Sequence, residues 1–381
     1  METSRLTLQI KQKAQELGFP LVGVTNPEPP PHLDVYASWL EAGRHGEMAY
    51  LATERAFERR ADPRRILPGC KSILVLGIPY DKPQEPKEPN AGNAHGRTAA
   101  YAWGNDYHEV LKVRLQALTA FIDEKVGAPV PSLWYTDTGP ILERELAQRA
   151  GLGWIGKNSM LINPELGSYY LLAEILLGIE LDLDSEITND YCGSCTRCIE
   201  ACPTSCILPD RTLDAKRCIS YLTIELKGAI PTDLRPQMAA WVFGCDICQQ
   251  VCPWNERFAA EAGDPAFSPR DETSLTDLEA ELGLSPEKFN RRFRLSPVKR
   301  PKRRGYLRNV AVALGNAGQA GSVPALARGL QDGEALVRGH SAWALGQIGG
   351  QQAAKILENS LGQEEDDWVR DEIAAALKTI S

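Results

Sequence analysis

Residues 192–203 read CGSCTRCIEACP, so Cys192, Cys195, Cys198 and Cys202 follow one another as C-x2-C-x2-C-x3-C, with Pro203 after the last. That run wraps one stretch of chain around a [4Fe–4S] cube, because soft thiolates suit iron and the close spacing matches the faces of the cluster. A second set follows: Cys218, then Cys245, Cys248 and Cys252 before Pro253. It keeps the C-x2-C-x3-C-P tail but places its first cysteine 27 residues upstream. In two-cluster modules the last cysteine of each run ligates the other cluster. The spacing therefore assigns Cys192, Cys195, Cys198 and Cys252 to one cluster, and Cys202, Cys218, Cys245 and Cys248 to the other. Two structural zinc ions are the competing reading, but zinc knuckles pair CxxC units without a third Cys and a trailing Cys-Pro.

The rest of the chain supports cofactor thiols over disulfides. Nine of the ten cysteines lie between Cys192 and Cys252, and only Cys70 stands apart. The N-terminus, METSRLTLQI, has no apolar signal-peptide core. The longest apolar stretch, Tyr169 to Gly178, is broken by Glu174 and falls short of the roughly 20 residues a membrane helix needs. A cytoplasmic protein, off the membrane and in a reducing compartment, is expected. Cys206 and Cys70, left over from the two runs, are expected to be packed thiols. With 381 residues, 43% hydrophobic and 24% charged, the chain is ordinary globular material with room for two or three domains. Two clusters close together form an electron wire, which needs a reaction to feed.

Upstream of the cysteines, residues 1–190 alternate helical and strand patterns, the signature of an α/β layer domain. Helices are expected over Leu6–Leu17, ended by Gly18, over Tyr107–Lys125 and over Ile141–Ala150. Strands are expected over Phe19–Val24, Ser72–Ile78, Leu133–Thr136 and Tyr169–Leu176. The Pro/Gly/Asn-rich stretch between Tyr80 and Gly96 reads as a surface loop. Residues 191–258 form the ferredoxin-like module, and residues 274–381 a third part. In that part a polar helical linker, Ser274 to Phe293, leads into segments starting at Arg308, Arg338 and Arg370, spaced by 30 and then 32 residues. Helices repeating at this period indicate a HEAT-type solenoid, which serves as scaffold or binding surface.

Two other patterns suggest cofactor motifs. Gly151, Gly153 and Gly156 match G-x-G-x-x-G, and Lys157 extends the match toward a P-loop, but Asn158 stands where Ser or Thr is required. Both motifs need a preceding strand, whereas ILERELAQRA is helical, so Gly151 reads as a helix cap. Asp106-Tyr107-His108 has the D-x-H form of cobalt-ligating histidines, but Leu111 occupies the place of the expected Gly, and a structural His108 is the simpler reading.

Charge is polarised along the chain. Residues 291–308, RRFRLSPVKRPKRRGYLR, hold nine Lys/Arg and no Asp/Glu, in a protein of net charge -8. A one-sign block with Phe293 and Tyr306 interleaved suits a nucleic-acid backbone, and one basic stripe on an acidic protein would orient that partner.

Taken together, the double cysteine run, HGEMAYL at 45–51, YAWGNDYH at 101–108, YTDTGPILER at 135–144, GWIGKNS at 153–159 and CISYLT at 218–223 closely resemble the epoxyqueuosine reductase family. The resemblance covers most of residues 40–255. It implies an α/β cobalamin-binding catalytic domain of the nitroreductase-like, cobalamin-processing type, and a cofactor arrangement similar to that of reductive dehalogenases. It further implies cobalamin beside the two [4Fe–4S] clusters, and reduction of the epoxide of epoxyqueuosine in a tRNA anticodon loop to the cyclopentene of queuosine, the last step of queuosine synthesis. Asp137 matches the family's proton donor; otherwise it would read as a cap for the helix that follows. Arg60, Tyr101, Asp137, Lys157, Asn158, Ser159 and Ser220 lie in segments that would line the corrin. Lys299, Arg300, Lys302, Arg303 and Arg304 then become the tRNA backbone clamp, with Trp254 or Tyr221 as stacking platforms for flipped bases. A low-potential electron donor of the flavodoxin or ferredoxin type and a monomeric state complete the expectation. Two alternatives stay open: a dehalogenase-like cobalamin reductase acting on a small molecule, and an electron carrier without a corrin.

Overall fold

A computed structural model describes residues 2–83, 94–270 and 274–380. The chain divides into two compact units that interleave in sequence. The first comprises residues 1–83, 105–215 and 247–268, and the second residues 84–104, 216–246 and 269–381.

The first unit is built on a four-stranded sheet in the order Leu21–Thr25, Ser72–Pro79, Tyr170–Leu177, Ser132–Tyr135. SILVLGIP and YLLAEILL are largely apolar, β-rich runs, and they take the two central places, where burial on both faces suits such sequence. Strands and helices alternate in the sequence, yet every pairing in this sheet is antiparallel. The helix Tyr107–Val126 starts on an Asp106 cap and stops at Gly127, whose φ of 78° is the left-handed stop that glycine adopts without a Cβ clash. Leu111, Leu115, Leu118 and Ile122 form its buried stripe. The helix Glu143–Arg149 lies across the sheet, burying Leu146 and Ala147 with Ile73, Val75 and Leu176. Its end presses on the first strand so closely that a Cβ on Gly23 would stand 2.0 Å from the Ala150 carbonyl oxygen.

The differences from the sequence expectation are local. The Ile141–Ala150 helix starts only at Glu143, because residues 137–142 turn away from the sheet first. The region expected as a helical linker forms the short strand Leu275–Asp277 and the helices Leu278–Leu282 and Pro286–Arg292, capped by Asp277 and Ser285. The end of the segment expected as a surface loop, His95 and Gly96, belongs to the strand His95–Thr98, while residues 84–93 of that segment lie outside the described residues.

The second unit pairs Trp241–Phe243 with His95–Thr98 in parallel and His95–Thr98 with Leu275–Asp277 antiparallel. Five helices follow: Lys302–Ala317, Val323–Gly329, Ala335–Ile348, Gly350–Leu361 and Asp367–Ile380. They are fastened to residues 222–243 by buried polar side chains. Arg308 donates to the carbonyls of Leu222, Leu226 and Gly228 at 2.6–2.8 Å, and Asn309 to those of Thr223 and Val242 at 2.8 Å.

Candidate active site

The strand Ser132–Tyr135 leaves the sheet beside the centre of its neighbour, where Tyr135 lies opposite Glu174. Thr136 anchors the exit through its hydroxyl to the Leu172 carbonyl at 2.8 Å. Asp137 then adopts φ 58°, a left-handed conformation open to few side chains, of which Asp is one. Its backbone N–H donates to the Glu143 carboxylate at 2.5 Å. The helix after it takes Leu142 as its first flanking residue with no side-chain cap, so Asp137 is not a helix cap. Its carboxylate is 48% exposed. One oxygen, Oδ2, accepts from the Tyr107 hydroxyl at 2.9 Å and lies 3.7 Å from His108 Nε2, a Coulombic contact longer than a hydrogen bond.

His108 is held from behind. Asp106 caps the helix by accepting from the His108 backbone N–H at 3.1 Å, and the same oxygen meets His108 Nδ1 at 2.8 Å. The imidazole stacks on Tyr107 with ring centroids 4.1 Å apart. Burial alone would lower the imidazole pKa, but Asp106 and then Asp137 outweigh it and raise the group to about 9. His108 is therefore an imidazolium at neutral pH, and its buried Nε2 has no hydrogen-bond partner. The structural reading of His108 thus accounts for one nitrogen and leaves the other aimed at Asp137.

Below the Asp137 turn lies a pair of carboxyls that sequence reasoning missed. Burial and then the Asp137 charge raise Glu143 to about 7, and burial raises Glu174, facing Glu143 from the central strand, well above the ordinary range. The available signal was an acidic residue inside YLLAEILL, a strand otherwise without charge. Arg144 donates to the Ser159 carbonyl and keeps an exposed surface, and burial lowers its pKa against the charges of Glu143 and Asp137. Arg60 is buried, donates to the Ala56 carbonyl at 3.2 Å, and its charge also acts on Glu143.

Lys157, Asn158 and Ser159 form the tip of the hairpin between Trp154–Ile155 and Leu161–Ile162, closed by the Gly156 N–H to the Met160 carbonyl at 2.8 Å. The hairpin follows the Glu143–Arg149 helix directly and Gly151, with φ 77°, ends that helix, so the glycine pattern serves a cap and not a phosphate loop. Lys157 donates to the carbonyls of Gly193 and Cys195 at 2.7 and 2.9 Å. Asn158 reaches the Cys248 carbonyl at 3.3 Å, and Ser159 the Arg211 carbonyl at 3.0 Å. One hairpin thus joins the Asp137 neighbourhood, through Arg144, to the cysteine runs. Tyr101 and Ser220 belong to the second unit: the Tyr101 ring lies 6.0 Å from Phe243, and Ser220 sits in the helix Ile219–Ile224.

Among the thiols, Cys198 is raised by burial and then by the charges of Cys192, Cys195 and Cys252, and Cys252 is raised by burial and in part by Cys192 and Cys195. Those four act on one another as neighbours. Cys252 packs with Trp154, beside Cys192 and Trp254, and the buried Trp154 Nε1 has no hydrogen-bond partner. Cys202 Sγ stands 3.5 Å from both Cys206 Sγ and Thr204 Oγ1; those hydrogen bonds, Cys206 first, lower its pKa to about 5 against the opposing effect of burial. Cys206 and Cys70 are both buried, and burial lifts Cys70 to about 11, as expected of a packed thiol. Cys218 is the residue before the helix Ile219–Ile224, and Cys245 follows the strand Trp241–Phe243 by two residues.

The basic stretch is less uniform than its sequence. Arg292 pairs with Glu281 at 2.7 Å, Arg300 with Glu225 at 2.6 Å, and Arg303 bidentately with Asp332 at 3.1 and 2.5 Å. Arg308 is fully buried. Lys299, Arg300, Lys302 and Arg304 are exposed. Phe293 and Tyr306, which interleave the charges, are buried against each other and Phe289, so neither is open to a base. Tyr221 is buried as well, and Trp254 packs on Trp154 at 4.9 Å and on Phe258 at 5.4 Å.

Three family models match the chain. Residues 60–138 match "Epoxyqueuosine reductase QueG, DUF1730", residues 191–255 a 4Fe-4S double cluster binding domain, and residues 304–378 HEAT repeats. The epoxyqueuosine reductase of Pseudomonas aeruginosa is 41% identical over 352 residues, covering 90% of this chain and 95% of the relative. A crystal structure of epoxyqueuosine reductase with a tRNA-Tyr epoxyqueuosine-modified stem loop superposes with a TM-score of 0.92 at 31% identity, over 99% of both chains. The Bacillus subtilis enzyme, captured with its catalytic aspartate loop swung out of the active site, gives 0.91 at 30% identity over 99% of both chains. No helix among the described residues is long and apolar enough to cross a membrane. At this level of identity, sustained over nearly the whole length, the chain belongs to the epoxyqueuosine reductase family.

Proposed function

We propose that this chain reduces the epoxide of epoxyqueuosine in the anticodon loop of a tRNA to the cyclopentene of queuosine, with Asp137 as proton donor. The observation that carries the assignment is the Asp137 turn. A left-handed residue at the edge of a buried sheet presents a half-exposed carboxyl, oriented by Tyr107 and tethered through its backbone to Glu143. Opening an epoxide generates an alkoxide, and an acid at hydrogen-bond distance lowers that barrier. The swung-out aspartate loop of the Bacillus subtilis relative supports a turn that delivers such a residue.

Two [4Fe–4S] clusters fit the thiols. For the first set, Cys192, Cys195, Cys198 and Cys252, the fit rests on mutual proximity and on Trp154 Nε1, a buried donor suited to a cluster sulfur. For Cys202, Cys218, Cys245 and Cys248 it rests on spacing. Cobalamin fits residues of the first unit that keep accessible surface: Asp137 and Lys157 are the groups that would touch it. Asn158 and Ser159 are buried with side-chain hydrogen bonds to the chain, and Arg60 is buried with one bond to the Ala56 carbonyl, so they would shape its seat. The corrin supplies a strong cobalt nucleophile when bound; Asp137 supplies the proton, and the hairpin at 154–162 holds the acid side of the site to the thiols. A flavodoxin- or ferredoxin-type donor would feed the clusters. Lys299, Lys302 and Arg304, joined by Arg300, would grip the tRNA backbone, while Arg303 braces the repeats through Asp332.

The test is anaerobic turnover of epoxyqueuosine-containing tRNA by protein reconstituted with iron, sulfide and cobalamin, beside protein without cobalamin and the Asp137→Asn variant. Queuosine formed only with the corrin, and reduced on the order of 10²-fold or more by Asp137→Asn, is the expected result. Corrin-dependent turnover unchanged in the variant would return Asp137 to a structural role, and no turnover despite filled clusters would overturn the assignment.

A further inference from the structure

The stoichiometry of the proposed reaction asks more of the site than one acid provides. Converting an epoxide to an alkene takes two electrons and two protons and releases one water. The first C–O bond breaks with a proton going to the alkoxide oxygen, and the second breaks as that oxygen leaves with another proton. The two electrons come from the low-potential donor of the proposed reaction. Asp137 holds one transferable proton, so after the first transfer it is a carboxylate and must be reloaded before the second.

We propose that His108 is the residue that reloads Asp137, so that Asp106, His108 and Asp137 form a proton relay supplying both protons of the reduction; this rests on the reading of Asp137 as proton donor. The geometry is specific. His108 Nε2 is buried, has no hydrogen-bond partner and stands 3.7 Å from Asp137 Oδ2, a gap that a small movement of the Asp137 turn closes to hydrogen-bond distance. The other ring nitrogen is committed to Asp106 at 2.8 Å, which fixes the ring and stabilises its cationic form. The charged and titratable groups facing the imidazole are Asp106 and Asp137, with Tyr107 stacked on its face, and both carboxylates favour a proton on the ring. In the relay the Nε2 proton passes to the Asp137 carboxylate, Asp137 passes it to the departing hydroxyl as water forms, and Nε2 regains a proton from water once the Asp137 turn moves off it.

Asp106→Asn separates this role from a structural one. Asparagine caps the helix as well as aspartate, so the fold is kept, while the charge that raises the imidazole is lost. Two quantities are followed: the imidazole pKa by NMR of the reconstituted protein, and the pH dependence of kcat with modified tRNA. In the unsubstituted protein both should show a group titrating at about 9. Asp106→Asn should move the NMR value and the alkaline limb of kcat down together. His108→Gln should remove the limb and lower kcat on the order of 10²-fold with KM for tRNA little changed. An NMR pKa that falls in Asp106→Asn while the kcat limb stays put, or full kcat in His108→Gln, would overturn the relay and leave the reductase assignment standing. A corrin-loaded, unsubstituted protein that forms no queuosine would overturn the assignment and the relay together.

Discussion

Glu174 sits fully buried in the central strand, and as a carboxylate neither of its oxygens has a hydrogen-bond donor. Glu143 faces it, and two carboxyls can satisfy each other only when one keeps a proton. The linkage follows directly. Both groups have folded pKa values raised above their unfolded values, so the native state binds more protons than the unfolded state above the ordinary carboxyl range. Stability should therefore fall as pH rises from about 5 to about 8, through the Glu143 window that ends at about 7. Glu174→Gln keeps the shape and supplies a donor, so it should flatten that fall and stabilise the protein at about pH 8 by roughly 1–3 kcal/mol, measured by denaturant unfolding across pH. An unchanged slope would mean that the pair does not hold a proton. None of this was legible in the sequence beyond one out-of-place Glu, because the partner, Glu143, lies 31 residues away and meets it only across the folded sheet.

At the level of elements, the repeats show why the same letters recur. Ala-Leu-Gly stands at 313–315 and again at 344–346. In each case the glycine marks where the next long helix crosses. A Cβ on Gly315 would lie 2.8 Å from Ala344 Cα, and one on Gly346 2.8 Å from Ala376 Cβ. Gly315→Val should therefore force the two helices apart and cost about 1–3 kcal/mol, read as a lower thermal midpoint of the full chain, even though glycine is a poor helix residue. A midpoint at or above the original would show that the helices have room to shift. The repeat period was legible because stacking places equivalent residues at equivalent contacts. The linker before it was not: Asp277 and Ser285, read as polar helix surface, act as caps and cut the segment into short pieces. The turn at 137–142 escaped as well, since the apolar spacing from Ile141 read as helix, whereas the helix starts only at Glu143, after the turn that follows the Thr136 anchor.

Across the whole molecule, the basic stretch is a surface only in part. If it grips tRNA, Lys299→Ala and Arg304→Ala should each lower the salt dependence of tRNA affinity by about 1 in the slope of log K against log salt. Arg303→Ala, which breaks a pair with Asp332, should chiefly lower stability. Equal salt slopes in all three variants would remove the stretch from the tRNA interface. The amino-acid sequence by itself determined the double cysteine run, the repeat array, the order of strands and helices before the thiols, and Asp137 as a residue of interest. Those features are written in short spacings and periods, which local geometry enforces wherever the chain goes. Tertiary structure alone decided that Tyr306 and Arg308 are core residues, that Glu143 faces Glu174, and that His108 aims its free nitrogen at Asp137. Charge and protonation depend on which groups burial brings together and on the water it removes, and no linear spacing encodes either.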